Sequence, residues 1–193
     1  MATPKPKPGD PIADLVESLL VELGEDTERQ GLKATPDRVA RALRELTDGY
    51  GVRPEEVIAG AIFDQDYDEM VVVKDINFYS LCEHHMLPFF GQVHVGYLPK
   101  GKVVGLSKIP RLVEVFSHRL QIQEQLTKQI AEALNGTLAP KGVGVVVEAR
   151  HLCMEMRGVE KPGGHMMTSC MLGTFRRDPR TRAEFLDLVR RPN

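Results

Sequence analysis

The sequence has 193 residues, of which 42% are hydrophobic and 27% charged, as is ordinary for globular proteins. Its formal net charge of −2 excludes a general electrostatic attraction to nucleic acids or to anionic membranes. No apolar run approaches the roughly 20 residues that span a membrane, and the N-terminus lacks the apolar segment of a signal peptide. We therefore expect a cytoplasmic protein that binds neither nucleic acid nor membrane.

Residues 10–66 have the pattern of a helical region. Helices are predicted to begin at Asp10, at Thr35 and at Pro54, because each of these positions combines a capping residue or a proline with apolar residues at helical spacing. The preceding residues, 1–9, are rich in Pro and Lys and predict an extended, disordered tail.

Residues 67–193 change to a mixed pattern that predicts one α+β domain. The predicted elements, in chain order, are a bent strand over 70–81, a hairpin of strands 92–98 and 102–106, helices over 109–119 and 122–134, strands over 143–149 and 166–175, and a helix from Asp178. Ser107 is a candidate N-cap for the first of these helices, and Asn135-Gly136 predicts the end of the second. Strands and helices are grouped rather than strictly alternating, which favours an α+β fold over a doubly wound one.

The cysteines are few, and the first lies in a segment that concentrates groups able to bind metals. A thiol, a carboxylate and two imidazoles occupy four consecutive positions, Cys82 to His85. The two intervening residues let Cys82 and His85 converge on one ion within a turn. A buried cysteine near a surface histidine has the same spacing, so this segment alone leaves both interpretations open.

Cys153 is a candidate third ligand. It follows the predicted strand over 143–149, and alternation along that strand places His151 on the same face. The third cysteine, Cys170, lies in an apolar strand context and is more simply explained by burial. Three protein ligands would leave one tetrahedral position open, which is typical of catalytic rather than structural zinc.

Two histidines beside these ligands are candidates for proton transfer. Imidazole titrates near neutral pH, so His84 and His151 could serve a reaction of a metal-activated water. Two alternatives stay open: His84 as a substitute for His85 in the ligand set, and His151 as a histidine satisfied within the strand layer.

Charged residues form a further group of candidates. Lys108 and Arg111 lie in the first turn of a predicted helix preceded by Ser107, and the amide donors of a helix N-terminus suit an anion. Arg157 follows the second cysteine segment, although a solvated surface is the more common role of any single cation. Glu124 is predicted to point away from the apolar stripe of its helix, and the simplest interpretation is an exposed glutamate.

Six ordered motifs together resemble the GTP cyclohydrolase I family. They are Cys82-Glu-His-His85, Gly105-Leu-Ser-Lys-Ile109, Arg119-Leu-Gln-Ile-Gln-Glu124, His151-Leu-Cys-Met154, Arg157-Gly-Val159 and Thr168-Ser-Cys-Met-Leu-Gly173. A weaker match at Thr35-Pro-Asp-Arg38 extends the resemblance over most of the chain. The resemblance implies the tunnelling fold, in which antiparallel strands of several subunits close a barrel. It also implies a homodecamer of two pentameric rings with active sites at subunit boundaries.

The resemblance further implies conversion of GTP and water to 7,8-dihydroneopterin triphosphate and formate, with Zn²⁺ as the cofactor. The implied zinc ligands are Cys82, His85 and Cys153. The implied catalytic residues are His84 and His151, for proton transfer, and Ser107, for the later ribose rearrangement. The implied substrate-binding residues are Glu124, which reads guanine, Gln123, and the triphosphate ligands Lys108, Arg111, Arg157 and Arg38.

Two alternative functions stay open. One is a non-catalytic, zinc-stabilised assembly module, which would close its metal site with a fourth protein ligand such as Cys170. The other is a related tunnelling-fold enzyme that acts on a different purine or pterin.

Overall fold

The computed structural model describes residues 9–158, 160 and 163–191. The tail predicted over residues 1–9 lies outside this part of the chain except for Gly9. Internal contacts divide the chain into two units, Met1–Asp48 and Gly49–Asn193. Within the described residues, each helix is too short or too polar to cross a membrane.

In the first unit, residues 9–48 include the helices α1 (Pro11–Glu22) and α2 (Thr35–Leu46), which pack against each other. Asp10 begins α1 as predicted, because its carboxylate accepts a backbone N–H of the first turn at 3.0 Å. The same carboxylate accepts hydrogen bonds from Nε and Nη2 of Arg44 in α2, at 2.9 and 2.7 Å. Asp10 therefore both starts α1 and links it to α2.

The second unit combines helices and strands, and its class is α+β, as predicted. After a 3-10 turn at Asp48–Gly51, its helices are α3 (Pro54–Ala59), α4 (Lys108–Ser117), α5 (Gln123–Leu138), α6 (Leu152–Glu155), α7 (Thr174–Arg177) and α8 (Pro179–Arg190). Its strands are β1 (Ile62–Asp64), β2 (Val71–Cys82), β3 (Pro88–Leu98), β4 (Lys102–Val104), β5 (Leu120–Gln121), β6 (Gly142–His151) and β7 (Met166–Gly173). Because α3 packs against α4 and α5, the division between units lies before α3, rather than after residue 66 as expected from the sequence.

One five-stranded sheet, in the order β5-β2-β3-β6-β7, organises this unit. Its long strands pair antiparallel, and only the short β5 runs parallel to β2. The main core contains the apolar stripe of α5, where Leu126, Ile130 and Leu134 are fully buried. A second apolar cluster contains Phe175 and Phe185, the latter from α8. The amphipathic pattern thus predicted the buried faces of α5 and α8 correctly, and the sheet supplies what they pack on.

The predicted bend in β2 is confirmed. Its pairing with β3 shifts register between Val73 and Ile76, and Asp75 has a positive φ of 58°. An irregularity of this kind inserts extra residues on one strand and turns it locally. Beyond the bend, β2 continues without a break to Cys82, so the strand delivers the first candidate metal ligand at its end.

The predicted hairpin over 92–98 and 102–106 is wrong. Strand β4 pairs antiparallel with β1, with Ile62 opposite Val104, and the two form a separate small sheet. Strand β1 was missed, because three residues are too few for alternation to be recognised. The local sequence specified the turn at residues 99–101, but the choice of partner strand depends on residues about forty positions earlier in the chain.

Two helix ends and one strand end also differ from the prediction. Ser107 has helical backbone angles (φ −66°, ψ −13°), and its side chain does not cap the described first turn of α4. Helix α5 continues past Asn135-Gly136 to Leu138, because Leu138 is buried, and it ends on Ala139 in the left-handed conformation. The strand predicted to reach residue 175 stops at Gly173, and α7 follows it.

Candidate metal centre and active site

The turn after β2 brings Cys82 and His85 together. Backbone hydrogen bonds from Cys82 N to Leu87 O (2.9 Å) and from Met86 N to Cys82 O (2.8 Å) close this turn. Met86 has a positive φ of 55°, which lets the chain reverse within a few residues. As a result Cys82 Sγ lies 3.6 Å from His85 Nδ1.

Cys153 approaches the same point from β6, although not in the predicted way. β6 ends at His151, and Cys153 lies in the single helical turn α6, so the two do not share a strand face. Nevertheless the candidate ligand atoms of Cys82, His85 and Cys153 all lie within 4.8 Å of one another. The change from strand to helical turn therefore aims the thiol at the other two ligands.

Two thiols and one imidazole form a donor set that suits zinc. Burial raises the pKa of the Cys153 thiol, and its interaction with the Cys82 thiol raises that pKa further. A divalent cation bound between the two sulfur atoms would stabilise their thiolate forms, which are the forms that bind metals. The side chains present thus fit a metal ion, and zinc in particular.

His151 is held by a buried amide. Its Nε2 lies 2.8 Å from Oε1 of Gln123, whose side chain is almost fully buried. Nε2 of Gln123 donates to the backbone carbonyls of Val147 (3.1 Å) and Met166 (3.0 Å). Because carbonyls only accept hydrogen bonds, the amide orientation is fixed and its oxygen faces His151. The proton of the neutral imidazole is therefore on Nε2, which leaves Nδ1 with its lone pair.

Two threonines complete this network. Thr127 Oγ1 donates to the backbone carbonyl of Gln123 at 2.7 Å and lies 2.6 Å from Thr168 Oγ1. Thr168 Oγ1 also lies 3.1 Å from Nε2 of Gln123, so the two amide protons are shared among three acceptors. Each hydroxyl has one proton, so Thr168 donates to Thr127, and the chain of hydrogen bonds has a single direction.

The surroundings of His151 keep it neutral and place a carboxylate near it. Burial lowers the pKa of His151, and the carboxylates of Glu124 and Glu155 oppose that shift. Its ring stacks on Phe89 with centroids 4.8 Å apart and planes 5° from parallel. Glu124 is exposed, as predicted, yet it is close enough to act on His151 electrostatically. The structure thus relates two residues that the sequence placed in separate motifs.

His84, Arg157 and Arg38, three further predicted site residues, are exposed. His84 is 68% exposed, and its Nε2 lies 3.8 Å from a carboxylate oxygen of Glu83. Its ring is nearly perpendicular to that of His85, with centroids 6.3 Å apart. Arg157 lies just after α6 and is exposed. Arg38 is exposed on α2, in the first unit.

Ser107, Lys108 and Arg111 lie at the start of α4, and the hollows there are bounded by β2. Ser107 lines an open hollow of about 800 Å³ whose β2 wall is Val73–Asn77. Arg111 lines a neighbouring hollow of about 280 Å³. Asn77 precedes Cys82 by five residues, or roughly 16 Å of strand. A single chain therefore does not bring Ser107 to the candidate metal centre.

Part of the site depends on contacts that the sequence does not predict. The Gln123 network and the stacking of Phe89 on His151 join positions far apart in the chain, so only the fold could reveal them. Thr127 carried a weak signal, because it follows Gln123 by four residues and so shares its helix face.

The fold and these contacts define an α+β protein with a Cys-His-Cys candidate metal centre and an oriented, neutral histidine. The family model for GTP cyclohydrolase I matches residues 12–190. The chain is 61% identical over 178 residues to a GTP cyclohydrolase 1 of Synechococcus sp. (strain JA-3-3Ab), covering 92% of this chain and 78% of that protein. It is 57% identical over 180 residues to one of Coxiella burnetii (strain RSA 493 / Nine Mile phase I), covering 93% and 98%. This chain belongs to the GTP cyclohydrolase I family.

Among solved structures, the apo form of an archaeosine synthase QueF-Like aligns with 54% of this chain and 93% of its own. The TM-score is 0.46 and the sequence identity 20%. A likeness at this level carries no argument about the present site.

Proposed function

We propose that this protein is a zinc-dependent GTP cyclohydrolase I. It converts GTP and water to 7,8-dihydroneopterin triphosphate and formate, the entry step of folate or tetrahydrobiopterin synthesis. The observation that carries the proposal is the convergence of Cys82, His85 and Cys153 in a chain of this family. Zinc held by these three residues would supply a nucleophilic water at neutral pH for attack on C8 of guanine.

His151 is the group best prepared to move a proton in this reaction. Its Nε2–H is engaged by Gln123, so Nδ1 is the atom that accepts or returns a proton. The lowered pKa keeps that atom unprotonated near pH 7. His84 is the second proton-transfer group, and its exposure lets it exchange protons with solvent.

Glu124 is the proposed reader of guanine. An exposed carboxylate beside His151 can accept hydrogen bonds from N1–H and the exocyclic amino group, a donor pair that adenine lacks. The triphosphate needs cations, since the chain as a whole is slightly acidic. The proposed triphosphate ligands are Lys108, Arg111, Arg157 and Arg38.

We further propose that the complete site forms between copies of this chain. Ser107 lines a hollow beside Val73–Asn77, well before the metal ligand at the end of β2, so its proposed role requires the centre of another copy. Within the described residues, β5 covers β2 only at Leu81 and Cys82, and β7 is the opposite edge of the sheet. Uncovered edges of this kind pair readily with other strands. These features support association between copies, and the assembly that we propose is the tunnelling-fold homodecamer of two pentamers implied by the family resemblance.

The alternative of a closed, structural zinc site has weaker support. It needs a fourth ligand, and Cys170 was the candidate. Cys170 lies opposite Val145 in the sheet, and Val145 precedes the end of β6 at His151 by six residues, or about 20 Å. Three ligands without Cys170 favour a catalytic site.

The test is turnover of GTP by the full chain with one equivalent of zinc, following formate and the pterin chromophore. Cys153→Ser should lose zinc and activity while the oligomer persists in light scattering. Cys170→Ser is the matched control and should retain both zinc and activity. Zinc-loaded protein that releases no formate would refute the proposed reaction. Loss of the oligomer in Cys153→Ser would indicate a structural metal.

A further inference from the structure

Cys153 lies in α6, a turn with fewer described backbone hydrogen bonds than the turn that contains Cys82 and His85. Helix α6 has four residues and no side-chain N-cap, and its described closing bond runs from Met156 N to Leu152 O at 3.0 Å. One isolated helical turn is unstable by itself, because a single hydrogen bond does not offset the ordering of its residues. An additional contact is therefore needed to hold the Cys153 thiol near the other ligands.

A two-point ion pair bridges this turn from end to end. Arg150, next to the end of β6, donates from Nε to Oε1 of Glu155 at 3.0 Å and from Nη2 to Oε2 at 2.6 Å. Glu155 is the last residue of α6, and its side chain is only 7% exposed, whereas that of Arg150 is 42% exposed. Paired, parallel hydrogen bonds fix the relative orientation of the two side chains as well as their distance. The pair thus encloses Cys153 between two fixed points.

The arginine end of the bridge is anchored on the sheet. Arg150 lies opposite Phe90 in β3, and its guanidinium carbon is 5.9 Å from the centre of that ring. Phe90 lies opposite Tyr79 in β2 and stacks on it, with centroids 5.8 Å apart. The stacked rings of Phe90 and Tyr79, on the next two strands of the sheet, therefore support the guanidinium of Arg150.

We propose that Arg150 and Glu155 are positioning residues that hold the α6 turn so that Cys153 Sγ stays in the metal-binding group. The inference rests on the proposed metal site. Arg150 and Glu155 are not among its three possible ligands, so they would act on the metal only through the position of Cys153. The pair acts by limiting the positions open to the Cys153 turn. Removing either partner leaves the three ligands present but widens the range of distances between them.

The experiment is a double-mutant cycle with Arg150→Gln, Glu155→Gln and the two combined. Zinc affinity of the full chain is measured by competition with a chromophoric chelator. Each single variant should bind zinc about tenfold more weakly, within the range found when supports of metal ligands are removed. The combined variant should be no weaker than either single one, because both changes break the same contact. Glu132→Gln is the matched control: it changes an exposed ion pair with Lys128 on α5 and should leave zinc affinity unchanged.

A second measurement separates this inference from the proposed function. Hydrogen exchange at the Met156 amide, in chelator-treated protein, reports closure of the α6 turn without any metal. Exchange should be faster in Glu155→Gln than in the wild type. If the wild type binds no zinc, the proposed function fails, and the exchange rates still decide whether the pair holds the turn.

Two results would overturn the inference: wild-type zinc affinity in both single variants, or losses that multiply in the combined variant. Should Arg150→Gln fail to fold, as judged by circular dichroism, Arg150→Lys provides the second test. It keeps the charge but not the two-point contact. Zinc affinity equal to that of the wild type in Arg150→Lys would show that the contact does not position Cys153.

Discussion

Gln123→Met tests the idea that one buried amide holds both the fold and His151. The substitution removes two N–H donors and one carbonyl acceptor while keeping an unbranched chain of similar size. The two N–H donors now serve Val147 O, Met166 O and, by sharing, Thr168 Oγ1, and the acceptor serves His151 Nε2. The change therefore removes the equivalent of three full hydrogen bonds without opening a large cavity.

The expected loss follows from these contacts. A buried hydrogen bond contributes about 1 kcal/mol net, so three give about 3 kcal/mol of destabilisation. The side chain of Gln123 is 1% exposed, so solvent does not replace the lost partners. We also expect kcat for GTP to fall by about ten- to a hundredfold, because a proton-transfer group that is no longer oriented is less effective.

Urea unfolding followed by far-ultraviolet circular dichroism measures this loss, since the sequence contains no tryptophan for fluorescence. All variants are compared at one protein concentration. Gln125→Met is the matched control: it makes the same chemical change two residues along α5, at an exposed position, and should shift stability by less than about 0.5 kcal/mol. Equal free energies of unfolding for Gln123→Met and Gln125→Met would show that the hydrogen bonds of Gln123 do not stabilise the fold.

Three further changes test the fold and the substrate site. His94 is 4% exposed, and burial lowers its pKa below 6.5, while nearby carboxylates partly oppose the shift. The stability that the neutral form of His94 contributes is complete above pH 6.5 and is lost as pH falls through the folded-state pKa. The free energy of unfolding in urea should therefore fall less between pH 7 and pH 5 in His94→Gln than in the wild type. Gly144→Ala should lower the free energy of unfolding by about 1–3 kcal/mol in the same assay, because the new Cβ would lie 2.6 Å from the Phe175 ring. Gly136→Ala is the control: its Cβ would enter open space on α5, and it should raise the free energy of unfolding by up to about 1 kcal/mol. Glu124→Gln should lower kcat/KM for GTP at least about tenfold without changing the urea midpoint, since an exposed side chain adds little to stability; unchanged kcat/KM would exclude Glu124 as the guanine reader.

Locally encoded features were predicted well from the sequence. Asp10 caps α1 as expected, and Asp178 does the same for α8, accepting from the backbone N–H of Arg180 at 3.0 Å. Cys82 and His85 meet because only two residues separate them, and a turn of that length can be judged from the sequence. In each case the interacting groups are a few positions apart, so neighbouring residues determine the geometry.

Tertiary structure decided whatever depends on distant residues. β4 pairs with β1 rather than β3, and α5 extends to Leu138 because the core buries that side chain. Cys153 reaches the other ligands from a helical turn after β6, not from the strand face that alternation predicted. The sequence by itself therefore determined which residue types could bind a metal and where α1, α2, α3 and α8 start. Only the packed sheet and its helices decided how Cys153 and His151 are aimed, because their supports, Glu155 and Gln123, act through side-chain contacts that exist only in the folded chain.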